Sequence, residues 1–510
     1  MMNTALSRAL RPLERLVDAL GDPARAHRAA AGAIAVYGVL WWAYALVAKS
    51  TQDVHFDTTE AFAWSLDLAW GYPKHPPLSA WVLAAWFAIF PTADWSAYLL
   101  SVAIICVALW FVWLIAERYV AGDKRALALA FLALTPAFNF QPLKFNSNAL
   151  MIPVWAMASY FFLRSYLERS LFWGVLAGVG AALAMLTKYW SIFLLIGFAA
   201  AVLSDPRRWA YVRSPAPWAS VAAGTILIVP NIVSLLVYNF EPFHYAATEH
   251  GVTSLRAVLE SAVNYLGGVL FLAGGFVAVA LAARPDAATW RDMLWPKEPD
   301  RRLMAAAIAA MLVVPPAFAV AFEVRLDSLW TIPYWAMLPA LLMSAPTLAV
   351  TRRAAAGVLA AALAVPVVVL IASPFVAITI LHKDLDNAQA YHSVVAREVD
   401  RLWPQVSKEL LRYVIGRQAL AWGCTFYCRD HPRAVPSWTF AMVPWIDPDA
   451  VKREGFVVIC QAGDQPCLGW AKEFSRDSTV REQSVEVARS FLGYRGEPRR
   501  FTLILAQPRR

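Results

Sequence analysis

Along most of this chain the apolar positions do not alternate with polar ones. They run on long enough to cross a hydrocarbon core of about 30 Å, then stop at short charged loops. Spans are expected at 31–48, 95–116, 126–140, 148–166, 171–187, 189–204, 216–237, 262–283, 303–322, 331–350 and 354–381. The apolar stretch 78–90 is treated differently. It is short, rich in Trp and bounded by Pro77 and Pro91, which predicts an interfacial helix within a long first external loop, 49–94. Counting it as a span would invert every later loop.

Beyond Leu381 the apolar runs shrink and charges return. Arg412–Ile415, Phe456–Ile459 and Phe501–Ala506 predict strands, and Ala388–Trp403 an amphipathic helix, so residues 383–510 are expected to form a small soluble α/β domain. Residues 1–30 precede the first span and carry Arg8, Arg11, Arg15, Arg25 and Arg28. They are too long and too acidic for a signal n-region, which predicts an uncleaved anchor. The expected fold class is a polytopic α-helical membrane protein of about 11 transmembrane helices over 31–382, with a C-terminal α/β extracytoplasmic domain.

Composition agrees, with 59% hydrophobic and 16% charged residues. The net charge of +9 does not indicate nucleic acid, because the cations cluster in alternate loops. Arg118, Lys124 and Arg125 form one group; Arg164 and Arg169, then Arg207, Arg208 and Arg213, form two more. Arg284, Arg291, Lys297, Arg301 and Arg302 follow, and then Arg352 and Arg353. The positive-inside rule makes these loops and the N-terminus cytoplasmic, and an odd number of spans puts the tail outside. Cys424, Cys428, Cys460 and Cys467 all lie in that tail, whereas Cys106 lies in a span. An exported domain permits disulfides among the four, and Cys460 with Cys467 is the favoured pair.

The first external loop, TQDVHFDTTEAFAWSLDLAWGYPKHPPL, concentrates acids, cations and aromatics. Asp57 and Glu60 stand just past the first span, and Lys74 and His75 stand before the Pro76-Pro77 pair. An ordinary wet loop with Trp64, Trp70 and Trp81 as an aromatic belt is the bland alternative.

The run from Asp57 through Trp64 to AWGYPKHPPL resembles family-39 bacterial glycosyltransferases of the protein-mannosyltransferase-like, GT-C superfamily. PAFNFQPLKFNSNALMIPVWA, GVLAGVGAALAMLTKYWSIFLL and, more weakly, VRLDSLWTIPYW extend the resemblance over most of 50–340. It implies sugar transfer from a polyprenyl-phosphate donor to a lipid, glycan or protein acceptor. Such transfer needs a base for the acceptor hydroxyl and cations for the departing phosphate. Asp57 matches the family's catalytic Asp, with Glu60 as a second candidate; Lys74, His75, Lys188, Arg325 and Lys144 are the phosphate candidates.

Lys74 stands where relatives often carry an acid that helps hold a divalent ion, which leaves metal dependence open and would let Lys74 meet the phosphate directly. Asn148 stands where many relatives have Asp, so it is expected to orient a sugar hydroxyl rather than act as base, with Tyr72 and Tyr189 as further sugar or acceptor contacts. His244, Glu249 and His250 resemble a metal cluster only loosely. No other cofactor is implied.

Gly174, Gly178 and Gly180 lie in an apolar helix and point to close helix packing rather than nucleotide binding. The Asp384/Asp386 pair lies on the side where nucleotide sugars are not expected. The competing class is a lipid-linked-sugar transporter or flippase, which predicts internal repeats and ionisable groups at mid-depth. The chain shows no convincing repeat, and its notable charges sit at the outer span ends.

Overall fold

The computed structural model describes residues 2–252, 254–381 and 391–509. The Asp384/Asp386 pair and the start of the predicted 388–403 helix lie outside them. Among the described residues, seven helices are long and apolar enough to cross a membrane: Ala26–Ala48, Asp94–Tyr119, Ser147–Glu168, Pro215–Val237, Leu255–Ala283, Pro299–Phe322 and Arg352–Leu381. The protein is a multi-pass membrane protein.

The other four predicted spans are present in altered form. The 126–140 span is a broken pair, Lys124–Ala133 and Pro136–Leu143, bent by 76°. Pro136 at the break cannot donate to the preceding turn, so a straight helix cannot continue. The 171–187, 189–204 and 331–350 spans become the shorter apolar helices Leu171–Thr187, Tyr189–Ser204 and Ser328–Met343. The last opens as a 3-10 stretch, Ser328–Met337, with Pro333 inside it. The stretch expected at the interface folds as the helix Leu78–Phe87.

Helices Leu171–Thr187 and Pro215–Val237 touch backbone to backbone. A Cβ on Gly178 would stand 2.2 Å from the Ser220 carbonyl oxygen, and one on Gly174 2.4 Å from that of Ala216. These glycines serve helix packing, as their apolar setting predicts.

The predicted basic loops meet at one end of the bundle. Arg118 and Arg164 share Glu168, and Arg207 reaches Asp300 at 2.6 Å. Lys124 donates to the Ala345 carbonyl at 3.0 Å, and Arg352 pairs with Asp18. The antiparallel helices carry the 49–94 loop and the C-terminal domain to the other end.

That domain is built on a five-stranded sheet of order β2-β1-β3-β7-β4. Its strands are β1 Tyr413–Gly416, β2 Arg433–Pro436, β3 Phe456–Gln461, β4 Val480–Val487 and β7 Arg499–Ala506. Ser490–Phe491 and Tyr494–Arg495 are β5 and β6, a separate two-stranded pair. β1 pairs in parallel with β2 and β3, while β7 runs antiparallel to β3 and β4. Successive side chains point to opposite faces, so Val414 and Val457 enter one core and Ile415 and Val458 the other. Helix His392–Leu402 covers the first face. Cys460 and Cys467 are disulfide-bonded, whereas Cys424 and Cys428 are buried free thiols and Cys106 is a half-buried one.

Candidate active site

The 49–94 loop folds around one short helix, Phe56–Ser65. His55 caps it, its Nδ1 accepting the Asp57 N–H at 3.2 Å. Burial holds the His55 imidazole down at about 4, with Lys144 and Lys49 acting in the same direction against the pull of Asp57.

Asp57 sits in the first turn, and its Oδ2 accepts the Asn146 side-chain N–H at 2.8 Å. Asn146 also caps helix Ser147–Glu168 by accepting the Ala149 N–H at 2.9 Å. Thr58 donates to the Phe145 carbonyl at 2.7 Å, so segment 145–146 lies along the first turn of the Phe56–Ser65 helix. Asp57, Glu60, Ala61, Trp64, His75, Ser79, Asn146, Ser147, Asn148 and Lys188 then line a cavity that opens to solvent, ≈ 360 Å³ with the open space included.

The expected phosphate ligands separate here. Lys188 is on the wall; its Nζ donates to Asn148 Oδ1 at 2.7 Å and stands 4.9 Å from the Trp330 ring centroid. Lys74 is instead paired with Glu60, its Nζ 3.1 Å from Oε2, and both are buried. Burial pushes the Glu60 carboxyl up to about 7, and the Lys74 ammonium only partly offsets that rise. Burial opposes the charge on Lys74 most strongly, but Glu60, Tyr245 and Asp57 together outweigh it and the ammonium rises to about 12. The expected direct contact of Lys74 with phosphate is thus blocked by Glu60 while the pair is intact.

His75 is on the wall, but burial drives its imidazole well below the usual range, reinforced by Lys188 and Lys74. It offers a neutral N–H hydrogen bond rather than a cation. Arg325 and Lys144 are not among the lining residues; Arg325 is exposed, with its backbone N–H donating to the His250 carbonyl at 2.7 Å.

Neither tyrosine expected at the sugar lines this cavity. The Tyr72 hydroxyl donates to the Trp64 and Asp67 carbonyls at 3.0 and 3.2 Å, closing the loop, and its ring stacks on Trp64 at 5.0 Å. The Tyr189 hydroxyl bonds Asn231 at 3.2 Å, and its ring stacks on Phe243. Both aromatics are occupied in holding neighbouring segments.

The ligand set of a divalent metal is not assembled here. Among the described residues no group of three or more His, Cys, Asp or Glu could hold one. His244 and Glu249 are exposed on helix Glu241–His250, while His250 packs edge-on against Trp330 at 5.2 Å. The loose cluster His244, Glu249 and His250 is therefore not assembled.

Among the wall residues that the sequence did not single out are Asn146 and Trp64. Asn146 was legible only as the polar residue before an apolar run, the usual mark of a helix cap. Trp64, an aromatic-belt residue only in the bland alternative, is buried on the cavity wall, and its indole N–H has no hydrogen-bond partner among the described residues. A buried donor of this kind is costly unless something bonds it, so it is available to a ligand.

Comparison with known proteins adds what the chain is similar to. The profile of the dolichyl-phosphate-mannose-protein mannosyltransferase family matches residues 74–233, a segment that includes His75, Asn148 and Lys188 but begins after Asp57. The lipid A galacturonosyltransferase RgtD of Rhizobium johnstonii is 25% identical over 249 residues, covering 49% of this chain and 51% of that protein. The chain thus spans about half the length of this curated relative. The crystal structure of ArnT from Cupriavidus metallidurans bound to undecaprenyl phosphate superposes with a TM-score of 0.58 at 15% identity, over 92% of this chain and 97% of that one. Its apo state gives the same TM-score at 14% identity. By a partial profile match and by fold, the chain is similar to protein-mannosyltransferase-like membrane proteins of the GT-C type.

Proposed function

We propose that the protein transfers a sugar from a polyprenyl-phosphate donor to a hydroxyl of a lipid, glycan or protein acceptor at the periplasmic face, with Asp57 as general base. The observation that carries this reading is that Asp57, Lys188 and the unpartnered Trp64 indole line one cavity. Asp57 takes the proton as the acceptor oxygen bonds to the anomeric carbon. The bond from that carbon to the phosphate oxygen breaks, and the charge left on the lipid phosphate meets the Lys188 ammonium. His75, Asn148 and Trp64 supply neutral hydrogen bonds to the sugar or phosphate.

Two further features support the reading. An apolar groove of ≈ 660 Å³, lined by Gly178, Met185, Leu195, Gly224 and Ile228 among others, runs beside the helix that ends at Lys188 and suits an isoprenoid tail. The basic loops tied together at the opposite end of the bundle would face the cytoplasm, which puts the cavity on the outer side. Relatives act on or bind compatible molecules: RgtD is a lipid A galacturonosyltransferase, and ArnT was solved with undecaprenyl phosphate.

The test is transfer of labelled sugar from polyprenyl phosphate by purified wild type and Asp57→Asn. Loss of a general base lowers turnover by about 10²–10⁴-fold. Full activity in a well-folded Asp57→Asn protein overturns the base assignment, and absence of transfer by wild type from every donor overturns the enzyme reading.

A further inference from the structure

Helix Phe56–Ser65 has its cavity face on one side and the C-terminal domain on the other. Just before the helix, buried Asp53 accepts the backbone N–H groups of His392 at 2.6 Å and Ser393 at 3.2 Å, and it pairs with Arg489. The next residue, Val54, donates its N–H to the Tyr427 hydroxyl at 2.8 Å, and that hydroxyl donates to Asp94 at 2.6 Å. Within the helix, Phe62 packs edge-on against Phe426 at 5.1 Å and His431 at 5.5 Å. Just past the helix, Asp67 receives Arg433 through two nitrogens, at 2.7 and 2.8 Å, and the Trp445 indole at 3.2 Å.

We infer that the C-terminal domain is a clamp that sets the orientation of the helix bearing Asp57, with Tyr427 and Arg433 as positioning residues. The inference rests on the reading of Asp57 as base. A ten-residue helix has little stability of its own, so its placement must come from what it packs against. On the membrane side it is held by Asn146, Thr58, the Glu60–Lys74 pair and packing of Phe62 on Phe87 of helix Leu78–Phe87. The domain grips it before, within and after its length. Two of these grips are charged or doubly hydrogen-bonded, which fixes angle as well as distance. Proton transfer tolerates little misplacement, about 10²-fold in rate for 1 Å, so a clamp outside the cavity can govern turnover without touching the donor.

The experiment compares full-length wild type, Tyr427→Phe, Arg433→Asp and the charge swap Asp67→Arg/Arg433→Asp, measuring kcat for transfer and the Kd for undecaprenyl phosphate. The expected result for Arg433→Asp is a fall in kcat of about tenfold or more with Kd unchanged, and recovery of most of it in the swap. Tyr427→Phe, which keeps the ring and so the packing, is expected to lower kcat several-fold at unchanged melting temperature. Wild-type kcat in both single variants overturns the clamp, as does a parallel loss of kcat and undecaprenyl phosphate binding that the swap fails to restore. If Asp57→Asn remains active the base reading fails first; if Asp57→Asn is dead while Arg433→Asp and Tyr427→Phe are fully active, the clamp alone fails.

Discussion

The buried pair of Glu60 and Lys74 makes the site sensitive to pH in a definite direction. The Glu60 carboxyl is raised to about 7, so it takes up a proton as pH falls through that value. In stability terms, a raised carboxyl favours the fold at low pH, and that contribution is lost as pH climbs from the ordinary carboxylate range through about 7. In functional terms, protonation releases the Lys74 ammonium from its partner beside the cavity. The apparent KM for donor is therefore expected to fall as pH drops through about 7, and Glu60→Gln, which cannot ionise, is expected to abolish that dependence. A wild-type KM that is flat across this range would show that Lys74 never reaches the phosphate. Asn146 sets a second residue-scale expectation. Asn146→Ala removes both the 2.8 Å bond to Asp57 and the cap on helix Ser147–Glu168. It should lower kcat and also destabilise the protein by about 1 kcal/mol, the usual worth of an N-cap. Asn146→Ser, able to cap but too short to hold Asp57, should recover the melting temperature without recovering kcat.

At the scale of elements, what the sequence made legible is what periodicity and turn chemistry encode. The seven long helices and strands β1, β3 and β7 are each visible as an apolar run of the right length. The bend at Pro136 and the 3-10 opening at Ser328–Met337 were not anticipated, although prolines mark both places, because long hydrophobicity outweighed them in the reading. Site residues followed the same division. Asp57 was singled out through the family resemblance and Lys188 because it ends an apolar run, and both line the cavity. The engagement of Lys74, Tyr72 and Tyr189 with other protein groups depends on contacts between distant segments, which no local pattern carries. The contact of helix Leu171–Thr187 with Pro215–Val237 gives the element-scale prediction. A valine side chain at Gly178 has no room against the Ser220 carbonyl, 2.2 Å from where its Cβ would lie. Gly178→Val is expected to cost about 1–3 kcal/mol through overpacking, read as a lower melting temperature in detergent. Gly357→Val, whose Cβ meets nothing within 4 Å, is the control and should melt like wild type.

For the whole molecule, one arrangement links charge, topology and chemistry. Cross-linked basic loops occupy one end of the bundle, while the cavity and the domain that packs on its helix occupy the other. Because these groups are tied to one another within the fold, moving one end across the bilayer moves all of them together. The topology is thus a single binary choice, and a few reporter positions decide it. Ala288, in the short helix Ala287–Leu294 just before Trp295, and Ser484, on β4, are both exposed. The native thiols Cys424 and Cys428 are buried, and Cys460 and Cys467 are bonded to each other, so they give little background. In intact cells treated with a membrane-impermeant thiol reagent, Ser484→Cys should be labelled and Ala288→Cys should not, with both labelled after lysis. The reverse pattern would put the cavity on the cytoplasmic side, where a donor need not be flipped across the membrane before its sugar is used, and the proposed outer-face reaction would have to be abandoned.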